Sequence, residues 1–317
     1  LPFYYRKLPG NMPDVKTVRH LLGDLDQLGF SKVKLVMDRG FYSEANVNAL
    51  YGDHRKFLLS AKMSISFVRK ELEPIYDSFR SFEHYDTDYE LYTRTVSTTW
   101  EYQQPRPYKG DILKQNRRLY IHYYFNIERA AEEEKAFDRR LIQWREELLQ
   151  DKRVKAHESL YDKYFTVTQT PKRGIKVEIK KEAVAKVKRY YGYFTLITNQ
   201  KMDAIKALQI YRNKDVVEKA FGNLKERLNM RRLLVSSEQS LDGKLFIAFV
   251  GLILLSYIKK QMQDHKLFKT YTLGTLLDQL DVIECFEVPG KKMRVGEILQ
   301  KQKAIYEAMG VKPPDSL

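Results

Sequence analysis

Four side chains between Tyr211 and Lys225 share a spacing that could hold a charged ligand. Tyr211, Lys214, Glu218 and Lys225 are separated by three, four and seven residues. At about 100° per residue in a helix, those steps return to nearly the same angle, so a phenol, two ammonium groups and a carboxylate project together. The carboxylate can ligate a divalent cation, and the cations and the aromatic ring can hold a polyanion. The ordinary alternative is a solvated Lys-x-x-x-Glu pair, worth about 0.3 kcal/mol. A second carboxylate, Asp38, ends the stretch KVKLVM at residues 32–37 and enters the turn Arg39-Gly40-Phe41. The carboxyl ends of strands are where open α/β sheets gather ligands and metals. Asp38 also has a structural reading, as a turn former ahead of glycine.

These residues need elements to position them. Ile210, Val217, Phe221, Leu224 and Leu228 recur at seven, four, three and four, which predicts one amphipathic helix over Ile210–Leu228. A buried strand ending at Asn199 and a short helix over Ala204–Leu208 precede it. The block LFIAFVGLILLSYI at 245–258 is apolar all round, which predicts a helix buried inside the core. Its run of about fourteen residues is shorter than the ~20 of a membrane helix, so no membrane partner is expected.

At the front, LPFYYRKLPGN reads as the end of a strand running into a turn at Pro9, Gly10 and Asn11. Asp14 reads as the N-cap of a helix carrying Val18, Leu21, Leu22, Leu25 and Leu28, closed by Gly29. Strand Lys32–Met37 follows, with Val33, Leu35 and Met37 on one face. Ser43 caps a helix through Leu50, and Phe57–Ser60 gives another strand. From about Ala61 to Tyr190 the chain turns tyrosine-rich and charged. Tyr89–Val96 and Leu119–Phe125 read as strands, Ile127 to about His157 as a long charged helix, and Tyr164–Thr168 with Ile175–Ile179 as a hairpin. A basic helix spans Lys180–Arg189. The region reads as an insertion with its own β-meander. Its tyrosines and lysines suit DNA contact, or equally a β-rich scaffold with packed tyrosines. The division expected is thus a core over 1–60 and 191–260, an insertion over 61–190, and a tail over 261–317.

With 56 Lys and Arg against 41 Asp and Glu, the 317-residue chain carries a net charge of +15, which suits a polyanionic partner. One cysteine, Cys285, excludes an internal disulfide framework and a cysteine-based zinc site, and fits a reducing, cytoplasmic setting. The six histidines are scattered, and no glycine-rich phosphate loop or repeat is present. Leu1, rather than Met, opens the sequence inside a strand-like stretch, which predicts a further segment upstream.

In this order the motifs resemble those of the DDE transposases of bacterial insertion sequences, in the large insertion-sequence-four-like class with a Tyr-Arg-Glu-Lys signature, Y-x2-R-x3-E-x6-K. Tyr211, Lys214 in place of arginine, Glu218 and Lys225 keep every spacing. VMDRGF matches the strand-end motif with Asp38 as the second acidic residue, LPGNMPD resembles the family's P-G-N-x-x-D turn, and YFTLITN resembles the strand before the signature helix. The likeness covers roughly residues 1–260.

The resemblance implies an α/β fold: a ribonuclease-H-like mixed sheet flanked by helices, interrupted by a β-rich insertion with one long charged helix. It implies cutting and joining of double-stranded DNA at transposon ends and target sites, with two Mg²⁺ ions, or Mn²⁺ as substitute, on three carboxylates. Asp38 and Glu218 would be metal ligands, and Tyr211, Lys214 and Lys225 would contact DNA phosphates. A homodimer acting on paired ends is the corresponding assembly. Two departures stand out. The family's first aspartate lies on a strand before the P-G-N turn, which this chain lacks, and Asp14, at a helix start, does not replace it. Lys214 keeps a point charge but loses the bidentate fork of arginine. Two other readings remain: an inactive remnant that at most binds DNA, and a basic scaffold or RNA-binding protein whose helical stripe is coincidental.

Overall fold

Apolar residues on both faces of Lys34–Met37 (β1) begin a sheet in this computed structural model. The structure describes all residues except 1, 10, 11, 31, 107, 109, 171–173, 215–221, 223–233, 288–292 and 315–317. The chain divides into two compact units, Pro9–Lys214 and Asp215–Leu317 together with Leu1–Leu8.

In the first unit, helix Asp14–Gln27 (α1) leads to β1. Pro13, not Asp14, occupies the N-cap, and Asp14 is the first helical residue with no side-chain cap bond. Proline's extended backbone already sets the entry angle, so Asp14 is left to favour the positive helix end. Gly29, at φ +76°, lets Phe30 N–H reach the Leu25 carbonyl and end the helix. After β1 come a 3₁₀ turn at Arg39–Phe41, helix Glu44–Gly52 (α2) capped by Ser43 Oγ, strand Lys56–Ala61 (β2) and helix Ser66–Leu72 (α3).

Strands Tyr85–Asp86 (β3), Leu91–Arg106 (β4), Asp111–Phe125 (β5) and Tyr193–Thr198 (β8) complete a six-stranded sheet in the order β1-β2-β8-β5-β4-β3. Only β1 and β2 pair in parallel. Of the expected strands Tyr89–Val96 and Leu119–Phe125, Leu91–Val96 and Leu119–Phe125 therefore lie in the central sheet rather than in a separate meander, and Tyr89 and Glu90 form the turn before β4. The cause is visible in β5, where seven consecutive residues from Leu119 to Phe125 are buried, the pattern of a strand covered on both faces. One face packs Val47 and Leu50 of α2 and Val68 of α3 over Phe57, Leu59, Ile121 and Ile197. The other packs Ala204, Ala207 and Leu208 of helix Ala204–Arg212 (α7) over Leu58, Tyr124 and Leu196.

Between β5 and β8, helix Ile127–Leu149 (α4), helix Glu158–Tyr164 (α5), the hairpin of Phe165–Thr170 (β6) with Gly174–Ile179 (β7), and helix Lys181–Lys188 (α6) build a second core. One stripe of α4, Phe137, Leu141, Trp144 and Leu148, meets Tyr161, Tyr164, Phe165 and Val177 there. The helix stops at Leu149, short of His157.

In the second unit, helix Glu238–Asp264 (α8) joins helices Leu273–Asp281 (α9) and Gln300–Ala308 (α10), with a small ladder of Cys285–Phe286 (β9) and Arg294–Val295 (β10). Met262, Leu273, Leu276 and Ile305 form its core. The expectation that the apolar block of α8 is buried all round is not met: Phe246, Ile247 and Leu254 are 58%, 72% and 59% exposed. Only one stripe of a helix meets its packing partners, and here Leu255, Ile258 and Met262 do so. Among the described residues α8 is the one helix long and apolar enough to cross a membrane by length and composition. Residues 2–8 form no strand. They have no neighbouring strand among the described residues to pair with, and lie along α8, with Tyr5 4.8 Å from Phe249 and Lys7 Nζ 2.6 Å from Asp242 Oδ1.

Candidate active site at the carboxyl end of the parallel strands

Asp38 leaves β1 where the parallel pair β1–β2 ends. Its backbone is extended, and Oδ1 accepts the Arg39 N–H at 2.7 Å, so the carboxylate caps the 3₁₀ turn that re-aims the chain. The turn is braced from beneath. Buried Asn46 donates through Nδ2 to the Val15 carbonyl at 2.7 Å and the Phe41 carbonyl at 2.8 Å, tying the start of α1 to the exit of β1. A Cβ at Gly40 would lie 2.9 Å from Asp14 Oδ2, so a larger residue there would have to displace the Asp14 carboxylate.

Tyr211 reaches this carboxylate from α7. Asp203 caps that helix by accepting the Ile205 and Lys206 N–H groups, and the helix ends at Arg212. The expected helix from Ile210 is thus, in its first residues, the last turn of α7. The Tyr211 hydroxyl donates to Asp38 Oδ1 at 2.8 Å. Lys214, two residues past the helix, places Nζ 3.6 Å from Asp38 Oδ2 and 5.2 Å from the Tyr211 ring centre. Asp38, Tyr211 and Lys214 therefore meet, although 173 residues separate the carboxylate from the phenol. Glu218 and Lys225 lie outside the described residues.

The electrostatics follow from this packing. Burial pushes the Asp38 pKa up, but the Tyr211 hydroxyl, the Arg39 N–H and the charges of Lys214 and Arg39 outweigh it and hold the carboxyl below its ordinary value. Burial and the Asp38 carboxylate push Tyr211 up to about 12, against a hydrogen bond from Ser60 on β2. At neutral pH the pair is a carboxylate and a neutral phenol, with Lys214 supplying positive charge. Sequence reasoning did not find Asn46 or Ser60. Their roles come from contacts across elements, and neither residue type carries a local signal.

Among the described residues, no group of three or more Asp, Glu, His or Cys side chains that could hold a metal ion is assembled. Of the described residues at this site, Asp38 fits as a ligand: its oxygens are hard donors, and Mg²⁺ takes one or two carboxylates together with waters and substrate phosphates.

The family model described as Transposase DDE domain matches residues 2–254. The chain belongs to the DDE transposases. No curated protein matches this transposase. Membership accounts for the mixed sheet flanked by helices, implies DNA as the partner, and brings the family's general use of divalent metal ions. The match takes in both the Asp38 turn and the Tyr211 helix end.

Proposed function

We propose that this transposase cleaves DNA strands at the ends of an insertion sequence and joins them to target DNA, as a member of the class with the Tyr-Arg-Glu-Lys signature. The observation that carries the reading is the Tyr211–Asp38 hydrogen bond, which joins the signature segment to the strand-end acidic motif across 173 residues. Asp38 and Glu218 would hold Mg²⁺, with Mn²⁺ as substitute. Bound there, the metal supplies activation of the attacking water or 3′-hydroxyl and charge stabilisation at the leaving oxygen. The Tyr211 hydroxyl orients the Asp38 carboxylate. Lys214 offers a point charge to a DNA phosphate, and Lys225 is assigned the same task by its place in the signature.

The test is nicking of a plasmid that carries the DNA flanking the chain's own coding sequence, in Mg²⁺ and in its absence. Wild type should release 3′-hydroxyl ends at fixed positions, and Asp38→Asn should lower that rate by a factor of at least about 1,000. DNA binding without cutting would instead identify an inactive remnant. Equal cutting by wild type and Asp38→Asn would refute the site assignment.

A further inference from the structure

β4 and β5 are far longer than the sheet that holds them. They pair over fifteen positions, from Tyr92 with Phe125 to Arg106 with Asp111. Their outer neighbours stop early: β3 reaches only Tyr92, and β8 only Tyr120. The last eight pairs, Thr99 with Arg118 through Arg106 with Asp111, therefore leave the sheet as a two-stranded ribbon of about 26 Å.

The root of this ribbon is fixed. Trp100 Nε1 donates to Asn48 Oδ1 at 2.8 Å, and the Tyr51 hydroxyl to the Arg118 carbonyl at 2.7 Å, both from α2. The Arg117 guanidinium lies over the Tyr102 ring at 5.3 Å. That face is committed to the protein. Cross-strand partners share a face, so the opposite face displays Thr99 and Arg118, Glu101 and Asn116, and Gln103 and Lys114, all exposed. Residues 99–106 and 111–118 carry four lysines or arginines and two carboxylates. Both carboxylates are paired within the ribbon, Asp111 with Arg106 and Glu101 with Lys114.

We infer that this ribbon enters the major groove of duplex DNA. Lys114 and Arg118 meet the phosphates, and Gln103 and Asn116 face the base edges. A two-stranded ribbon fits the groove of B-form DNA, about 12 Å wide, and carboxamides match the donor and acceptor edge of adenine. The deep, narrow groove of duplex RNA excludes the same ribbon. β5 runs parallel to β1, because β2 and β5 are each antiparallel to β8. Asp38 follows Met37, which pairs with Leu59. The next residue, Ser60, pairs with Leu196, and Leu196 with His122. From that level the ribbon runs away from Asp38: Arg118 lies four residues back and Lys114 eight, about 13 and 26 Å. One turn of DNA is about 34 Å. A duplex laid along the strands with its reacting phosphate at Asp38 therefore meets the ribbon within the first helical turn.

The inference rests on the transposase reading for its ligand, so the test separates the two. Full-length Asp38→Asn protein, which should bind without cutting, is titrated with a random 40-base-pair duplex over a range of salt. Lys114→Ala/Arg118→Ala in that background should reduce the slope of log K against log salt by about two. Methyl green, which fills the major groove, should displace the parent, and netropsin, a minor-groove ligand, should not. Both variants are checked for native circular dichroism; the replaced side chains are exposed, so the fold should hold. If the parent binds duplex DNA and the double variant keeps its slope, the ribbon assignment is wrong. If a folded parent binds no DNA, the transposase reading fails with it. An RNA duplex that competes equally well would also overturn the major-groove assignment.

Discussion

His122→Gln should remove a pH dependence of stability that the fold builds into β5. His122 is fully buried beneath the α7 face of the sheet. Its Nδ1 lies 2.8 Å from Thr95 Oγ1, and Nε2 has no partner among the described residues. Burial lowers its pKa from 6.5 to about 4, with Asp203, the N-cap of α7, pulling weakly the other way. The folded protein thus keeps the ring neutral where the unfolded chain takes up a proton. The resulting stabilisation is complete above about pH 6.5, declines as the pH falls, and is gone below about 4. A shift of about 2.5 units corresponds to about 3 kcal/mol, lost at up to about 1.4 kcal/mol per pH unit. The assay is urea unfolding of wild type and variant at steps from pH 7.5 to 4.5, with amide exchange in β5 and β8 assigning the change to the sheet. Subtracting the variant cancels the other titrating groups. The difference between the proteins should shift by about 2–3 kcal/mol across that range. Curves that stay parallel to within about 0.5 kcal/mol would refute the claim that a neutral, desolvated imidazole is what the fold requires.

Two further outcomes follow from local geometry. Tyr211→Phe removes the hydroxyl that helps hold Asp38 ionised, so the Asp38 carboxyl should titrate at a higher pH in ¹³C spectra; an unchanged titration would show that Tyr211 does not set it. Gly192→Ala should destabilise the first unit by about 2–4 kcal/mol in chemical unfolding, because Gly192 has φ +78° and a Cβ there would lie 2.6 Å from both the Asn126 carbonyl oxygen and the Ala130 Cβ. A loss below about 0.5 kcal/mol would mean that this backbone relaxes freely.

The site was legible in the sequence where local chemistry fixes it. Asp38 ends an apolar run before a turn, Ser43 caps the next helix, and Tyr193–Thr198 is a buried strand. What could not be read was set by distant partners. Periodicity predicts a helix over Ile210–Leu228, yet Ile210 already lies inside a helix that Asp203 caps and that runs to Arg212, and most of the remaining span lies outside the described residues. The β-strands of the middle region looked like a separate layer because alternation gives a strand's faces but not its neighbours. Register with β8 decided that they belong to the central sheet. The ribbon escaped notice because Glu101–Arg106 and Lys114–Arg118 carry carboxamides, charges and a proline, all poor strand formers. Pairing with each other, not propensity, holds them extended. The apolar block of α8 illustrates the reverse, since composition reports how much surface wants cover and not which surface receives it.

The union of Asp38 with Tyr211 also sets a schedule. During synthesis at about 5–20 residues per second, the carboxylate emerges roughly 9–35 s before the phenol that orients it. Strand β2 likewise waits for β8, since Leu58 pairs with Thr198. Such late, distant pairings make folding slow. A nascent chain therefore presents Asp38 on an incomplete sheet, and the Asp38–Tyr211 contact closes only after nearly all of the first unit has left the ribosome.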